Sequence, residues 1–182
     1  IRDLCGVETG PVMMSAIKPL GRSTEEFADM VYRLALGGCP LIKDDHSLFD
    51  QGYAPFEERV RACVDAVNEA NAKTGGSSLF IANCTADGLT FLERAFKAKE
   101  LGAGGIMASP GLLGVSLIRD LSKDKEFNLP IYLHPSFSGA LVLKEDCGIS
   151  PFCYYGQISR LAGADAVIFT GFGGRFPFSQ DV

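Results

Sequence analysis

Short runs of consecutive apolar residues alternate along the whole chain with longer stretches in which apolar positions recur every three or four residues. Neighbouring side chains of a strand point to opposite faces, so an unbroken apolar run is what a strand covered on both sides requires. The runs predict strands at Val12 to Ile17, Pro40 to Lys43, Leu79 to Asn83, Gly105 to Ala108, Ile131 to His134 and Ala166 to Thr170. The stretches between them predict helices. Ser23-Thr24-Glu25-Glu26 is a capping-box pattern, and Phe27, Met30, Val31 and Leu34 then share one face before Gly37-Gly38 ends the helix. Phe56 to Thr74 repeats the design, with Val60, Cys63, Val64 and Val67 inward and Gly75-Gly76 as the stop. Phe91 to Leu101, closed by Gly102, is a third helix, and weaker patterns run from Leu112 to Leu121 and from Phe152 to Leu161.

Regular βα repetition leaves two architectures, an open doubly wound sheet or a (β/α)8 barrel. A dinucleotide-binding sheet should carry GxGxxG directly after its first strand, and here that strand runs into Lys18-Pro19-Leu20-Gly21. Polar or ionisable residues meanwhile close most strands: Lys18, Lys43-Asp44-Asp45-His46, Asn83, Ser109, His134 and Thr170. In a barrel such positions converge on one mouth. The fold class is therefore α/β, with the strand ends favouring the barrel; the family resemblance given below implies a TIM barrel of which residues 1–182 supply about the first six βα units as a single partial domain.

Composition narrows the partner. The chain has 182 residues, 47 % of them hydrophobic, and a net charge of −5 without a run of Lys or Arg. Clustered cations are what nucleic acid and anionic membrane surfaces require, so neither is expected. No apolar run approaches the ~20 residues that span a bilayer, and the expected location is the cytoplasm. A small molecule is the expected partner. Cys5, Cys39, Cys63, Cys84, Cys147 and Cys153 are scattered, mostly inside apolar segments and without a CxxC pair, and read as reduced core thiols rather than a disulfide framework.

Both histidines, His46 and His134, fall at strand carboxyl ends. Lys43 closes a buried strand, where an unpaired ammonium costs on the order of several kcal/mol. Asp45 is two residues on and projects to the same side. An ion pair explains that spacing, and with Asp44 and His46 added a cation site explains it too: oxygen ligands suit magnesium or manganese, and an imidazole tilts the set toward a transition metal. The Gly-rich loop Thr170-Gly171-Phe172-Gly173-Gly174-Arg175 ends in a cation and can close over an anionic substrate, or be an ordinary loop.

Four segments together resemble the large subunit of ribulose bisphosphate carboxylase (RuBisCO): Ser15-Ala16-Ile17-Lys18-Pro19, Gly37 through His46, Ala82-Asn83-Cys84-Thr85, and His134-Pro135-Ser136-Phe137-Ser138-Gly139. The HP-x-x-SGA segment is similar to that of RuBisCO-like proteins, the form IV branch. The resemblance runs from about Val12 to Arg175. It implies an amino-terminal α+β domain and two last βα units that this chain lacks, which makes it a fragment, and a homodimer or higher homo-oligomer at full length. It implies carbamylation of Lys43 by carbon dioxide, and a divalent ion (Mg2+, with Mn2+ or another ion as alternatives) held by the carbamate, Asp45 and His46. By the same resemblance Lys18, Lys43 and His134 are catalytic, and Asn83, Ser138, Gly171 and Arg175 meet a phosphorylated substrate. His46 stands where the family has a glutamate ligand, Pro135 and Ser138 replace phosphate-binding basic residues, and Arg175 replaces a lysine.

These departures point away from carboxylation. The expected activity is enolisation or decarboxylation of a phosphorylated keto-sugar or keto-acid, of the 3-oxo-isoapionate-4-phosphate decarboxylase type. The alternatives are the 2,3-diketo-5-methylthiopentyl-1-phosphate enolase of methionine salvage and a non-catalytic degenerate barrel. A Schiff-base aldolase is disfavoured because Ala166 to Thr170 offers no lysine.

Overall fold

The computed structural model describes residues 1–144, 146 and 148–181. Its elements run α1 (Arg2–Cys5), β1 (Met14–Ala16), α2 (Thr24–Leu36), β2 (Leu41–Lys43), α3 (Phe56–Thr74), β3 (Leu79–Asn83), α4 (Gly88–Glu100), β4 (Gly105–Ala108), α5 (Pro110–Leu113), α6 (Val115–Lys123), β5 (Ile131–Leu133), α7 (Gly139–Val142), a π-helical segment Phe152–Ile158 leading into α8 (Ser159–Leu161), and β6 (Ala166–Val167). The six strands are all parallel and lie side by side in chain order. A doubly wound sheet reverses its strand order at a switch point, and this one never does. The structure is a curled partial (β/α)8 barrel with β1 and β6 at its two edges.

Strand alternation sorts the core into two layers. Met14, Leu41, Ile81, Met107, Tyr132, Ala166 and Ile168 cluster on the inner face, and Cys5 of α1 joins them. Ile42, Phe80, Ala82, Ile106, Ala108, Ile131 and Leu133 pack outward against the helices. Lys43, the last residue of β2, and His134, one step beyond β5, keep the inner parity and turn inward at the carboxyl ends.

The capping box of α2 forms as the sequence predicts: Ser23 Oγ accepts from the Glu26 N–H, and the Glu26 carboxylate accepts from the Ser23 N–H. Other boundaries differ. The first and last strands are shorter than expected, Met14–Ala16 and Ala166–Val167, because each has a neighbour on one side only. The helix expected from Leu112 to Leu121 is broken at Gly114, whose φ of +78° and ψ of 155° no helix accommodates. Cys5, Cys39, Cys63 and Cys84 are free and buried, and Cys153 is free and half-buried. Cys147 lies outside the described residues. No helix among those residues is long and apolar enough to cross a membrane.

Candidate active site

The twelve residues between β2 and α3 begin with Asp44-Asp45-His46, and three side chains fix their path. Asp44 is fully buried and turned outward from the mouth: its carboxylate accepts from Arg59 Nε at 3.2 Å and Nη2 at 3.4 Å and from the Asn83 N–H at 3.0 Å. Burial presses this carboxyl upward against the pull of the Arg59 guanidinium and the Asn83 N–H. Arg59, also fully buried, donates to the carbonyls of Ala54 and Phe49. Asp44 is thereby committed to Arg59 rather than to a cation site beside Asp45.

Asn83, expected to meet substrate, instead spends its side chain on this loop. Its amide donates to the carbonyls of Asp45, His46 and Leu48 at 3.1 to 3.3 Å and its oxygen accepts from the Thr85 N–H, with no exposed surface left. The loop is held before any ligand arrives, which is the preorganisation a site needs.

Asp45 faces the mouth. Lys18 pairs with its Oδ2, the Ser47 N–H donates to Oδ1 at 2.8 Å, and His46 Nδ1 lies 3.5 Å from Oδ1. Burial pushes the carboxyl up, but the donations from Lys18 and Ser47, with His46 beside it, hold it below the usual carboxylate range. Lys43 is 8 % exposed and donates to the Asp44 carbonyl at 3.0 Å. Burial lowers its pKa, although Asp45 and Asp44 pull the other way.

His46 and His134 stack, with centroids 4.3 Å apart and planes 9° from parallel. Burial pushes His134 down to about 3, helped by His46 and Lys43. Burial also lowers His46, against the pull of Asp45, and Lys18, Lys43 and Arg175 push the same way as burial. The Ser136 N–H donates to His134 Nδ1 at 3.1 Å, which leaves the ring proton on Nε2. Loop contacts fix that segment: a Cβ on Gly111 would lie 2.5 Å from the Ser136 carbonyl, so only glycine lets α5 close against it.

Ser138 does not reach the mouth. It is 1 % exposed, donates to the Pro135 carbonyl at 2.5 Å and, with its proton so used, accepts from Tyr155 Oη at 2.6 Å. Gly171 and Arg175 lie in the loop after β6, closed by a Gly174 N–H to Gly171 carbonyl bond at 3.0 Å, and Arg175 is exposed. Arg59 and Tyr155 went unread in the sequence; Arg59 stands four residues before inward-facing Cys63, and that spacing carried the signal.

As for a metal, two of the three expected ligands, Asp45 and His46, lie together in the unmodified chain. Among the described residues no group of three His, Cys, Asp or Glu side chains is placed to hold an ion. The buried Lys43 amine sits where a carbamate would add the missing oxygen ligand, so the residues fit a divalent ion once Lys43 is modified.

A parallel barrel whose mouth gathers two lysines, an aspartate and two histidines is the architecture of a barrel enzyme with its chemistry at the strand carboxyl ends. The chain belongs to the ribulose bisphosphate carboxylase large-chain family, whose catalytic-domain profile matches residues 1–176. It is 38 % identical over 170 residues to the 2,3-diketo-5-methylthiopentyl-1-phosphate enolase of Geobacillus thermodenitrificans, covering 93 % of this chain and 41 % of the relative. The crystal structure of a Rubisco-like protein from Rhodopseudomonas palustris superposes with a TM-score of 0.89 at 36 % identity, covering 98 % of this chain and 49 % of that one. A Rubisco-like protein (MtnW) from Alicyclobacillus acidocaldarius gives 0.91 at 34 % identity, covering 99 % and 46 %. The chain thus spans less than half the length of these relatives.

Proposed function

We propose that this domain supplies the metal-side half of an active site that removes a proton next to the carbonyl of a phosphorylated ketone. The observation that carries the reading is the Lys18–Asp45 ion pair, which joins residues 27 apart in sequence at the same opening as buried Lys43. Lys43 as carbamate, Asp45 and His46 would hold a divalent ion. That ion, when bound, supplies Lewis acidity toward a carbonyl oxygen. Lys43, as its carbamate, would take the proton from carbon, and the Lys18 side chain, oriented by Asp45, would give a proton to the enolate oxygen, leaving the enol. Neutral His134, with its proton on Nε2, donates a hydrogen bond into the mouth. Asn83 and Arg59 position the loop and do not touch substrate. Arg175 and the Gly171 turn face the phosphate, and the active species at full length is a homo-oligomer.

The enolase name carried by relatives makes 2,3-diketo-5-methylthiopentyl-1-phosphate the first substrate to try, ahead of the decarboxylation of a branched 3-oxo sugar-acid phosphate that the sequence alone favoured. Full-length protein in D2O with magnesium and bicarbonate should exchange the carbon-bound hydrogens next to the carbonyl, followed by proton NMR. Lys18→Met should slow exchange by roughly 10²- to 10⁴-fold, the worth of a positioned acid or base. Exchange no faster than buffer with either substrate, or a Lys18→Met rate equal to wild type, would sink the reading.

A further inference from the structure

Four buried side-chain oxygens among the described residues find no hydrogen-bond partner in the protein: Thr24 Oγ1, Ser109 Oγ, Tyr132 Oη and Thr170 Oγ1. Thr24 opens helix α2, whereas the other three belong to three adjacent strand lines, β4, β5 and β6. Their parity is the same. Met107 and Ile168 pack into the inner layer and Ala108 and Val167 into the outer, so Ser109 and Thr170, two residues beyond Met107 and Ile168, return to the inside at the mouth. Tyr132 lies two residues before His134, within the inner layer.

A buried hydroxyl without a partner forfeits its hydrogen bond to water and gains nothing for it, which is why such groups are scarce and call for an explanation. Here two of them flank the reacting centre. His134 donates its N–H to the Ala108 carbonyl at 2.8 Å, which brings Ser109 alongside His134. The Ile168 N–H donates to the Leu133 carbonyl at 2.8 Å, which carries the β6 line on beside β5 past the end of the strand, toward Thr170. Ser109 is 1 % exposed and its own N–H is already taken by Thr85 Oγ1, so only its hydroxyl is unspent. Two strand spacings separate the lines of β4 and β6, about 10 Å, the span of a chain of five or six atoms with a hydrogen bond at each end.

We infer that Ser109 Oγ and Thr170 Oγ1 form a substrate subsite that hydrogen-bonds neutral oxygens, hydroxyl or carbonyl, along the carbon chain of the ligand as it crosses His134. The inference rests on the proposed function for the presence of a phosphorylated, oxygenated ligand at this mouth, and it adds the two residues that would read the oxygens of its chain. A purely hydrocarbon chain would leave both hydroxyls buried and unpaired, and a site built for a hydroxyl discriminates strongly against an analogue lacking it.

The test is direct binding to full-length protein, with no turnover required. Isothermal titration with ribitol 5-phosphate and with n-pentyl phosphate compares two probes that differ only in chain hydroxyls. Wild type should bind ribitol 5-phosphate at least tenfold more tightly. Ser109→Ala and Thr170→Val should each cut that preference severalfold by weakening the hydroxylated probe alone, and Thr170→Ser should keep it. In the ligand-free protein both deletions should leave the melting temperature unchanged or raised, because an unpaired hydroxyl is removed. Equal affinity for the two probes, binding of neither, a preference that survives in Ser109→Ala/Thr170→Val, or a lowered melting temperature for the ligand-free variants would each overturn the subsite. A failed deuterium exchange alongside a hydroxyl-dependent preference would instead overturn the enolisation and leave the subsite standing.

Discussion

The imidazoles of His46 and His134 lie face to face, their centroids 4.3 Å apart and their planes 9° from parallel. Two parallel rings at that separation cannot both carry a positive charge without strong repulsion, and burial disfavours even one. The stack therefore belongs to the neutral state of both rings. It presents His134 to the mouth with a defined tautomer, because the Ser136 N–H occupies Nδ1.

That neutrality gives the stability a pH dependence of known sign. His134 is held down to about 3 in the folded chain, against an ordinary value of 6.5. Between those values the unfolded chain binds a proton that the folded chain refuses, so stability falls as pH drops below 6.5 and the loss is complete near 3. Thermal melts at about pH 7.5 and 4.5 should show a smaller drop for His134→Asn than for wild type. An equal drop would place the acid sensitivity elsewhere.

Arg59 and Asp44 form a pair in which neither side chain has any exposed surface. Removing one partner strands the other charge in the core, so Arg59→Met should cost about 3 to 5 kcal/mol in urea unfolding. The double variant Asp44→Asn/Arg59→Met, which buries no lone charge, should recover part of the loss. Without such recovery the guanidinium would be needed for its carbonyl bonds to Phe49 and Ala54 rather than for charge.

Asn83 is a positioning residue whose amide spans three carbonyls of the Asp45 to Leu48 segment. Asn83→Ala should destabilise by roughly 1 to 3 kcal/mol and, if the loop carries the reacting groups as proposed, lower kcat more than it raises KM. A variant with raised KM and unchanged kcat would return Asn83 to the substrate-contacting role its strand-end position first indicated.

Strand ends were legible in the sequence because an apolar run that stops at Lys43 or at His134 marks both where a buried strand finishes and which side the next residue faces. The capping box of α2 was legible because Ser23 and Glu26 satisfy each other's backbone locally. What position could not reveal was where a polar side chain turns. Asn83 stands at the end of β3 and Ser138 just before α7, yet they spend their hydrogen bonds on the Asp45 to Leu48 carbonyls and on Tyr155, partners 35 to 38 and 17 residues away. Asp44 read as a ligand beside Asp45, but successive residues of an extended chain face opposite ways, and Arg59 lies on the outer side. The unpaired hydroxyls of Ser109 and Thr170 exist only as a three-dimensional fact, since pairing is what a sequence does not display.

The central claim is that Lys43 becomes an oxygen ligand at this mouth, and carbon NMR tests it most directly. Full-length protein equilibrated with 13C-bicarbonate and magnesium should show a protein-bound carbamate resonance, absent in Lys43→Arg and broadened when manganese replaces magnesium. A spectrum without that resonance, from protein that still exchanges substrate hydrogens, would contradict the account.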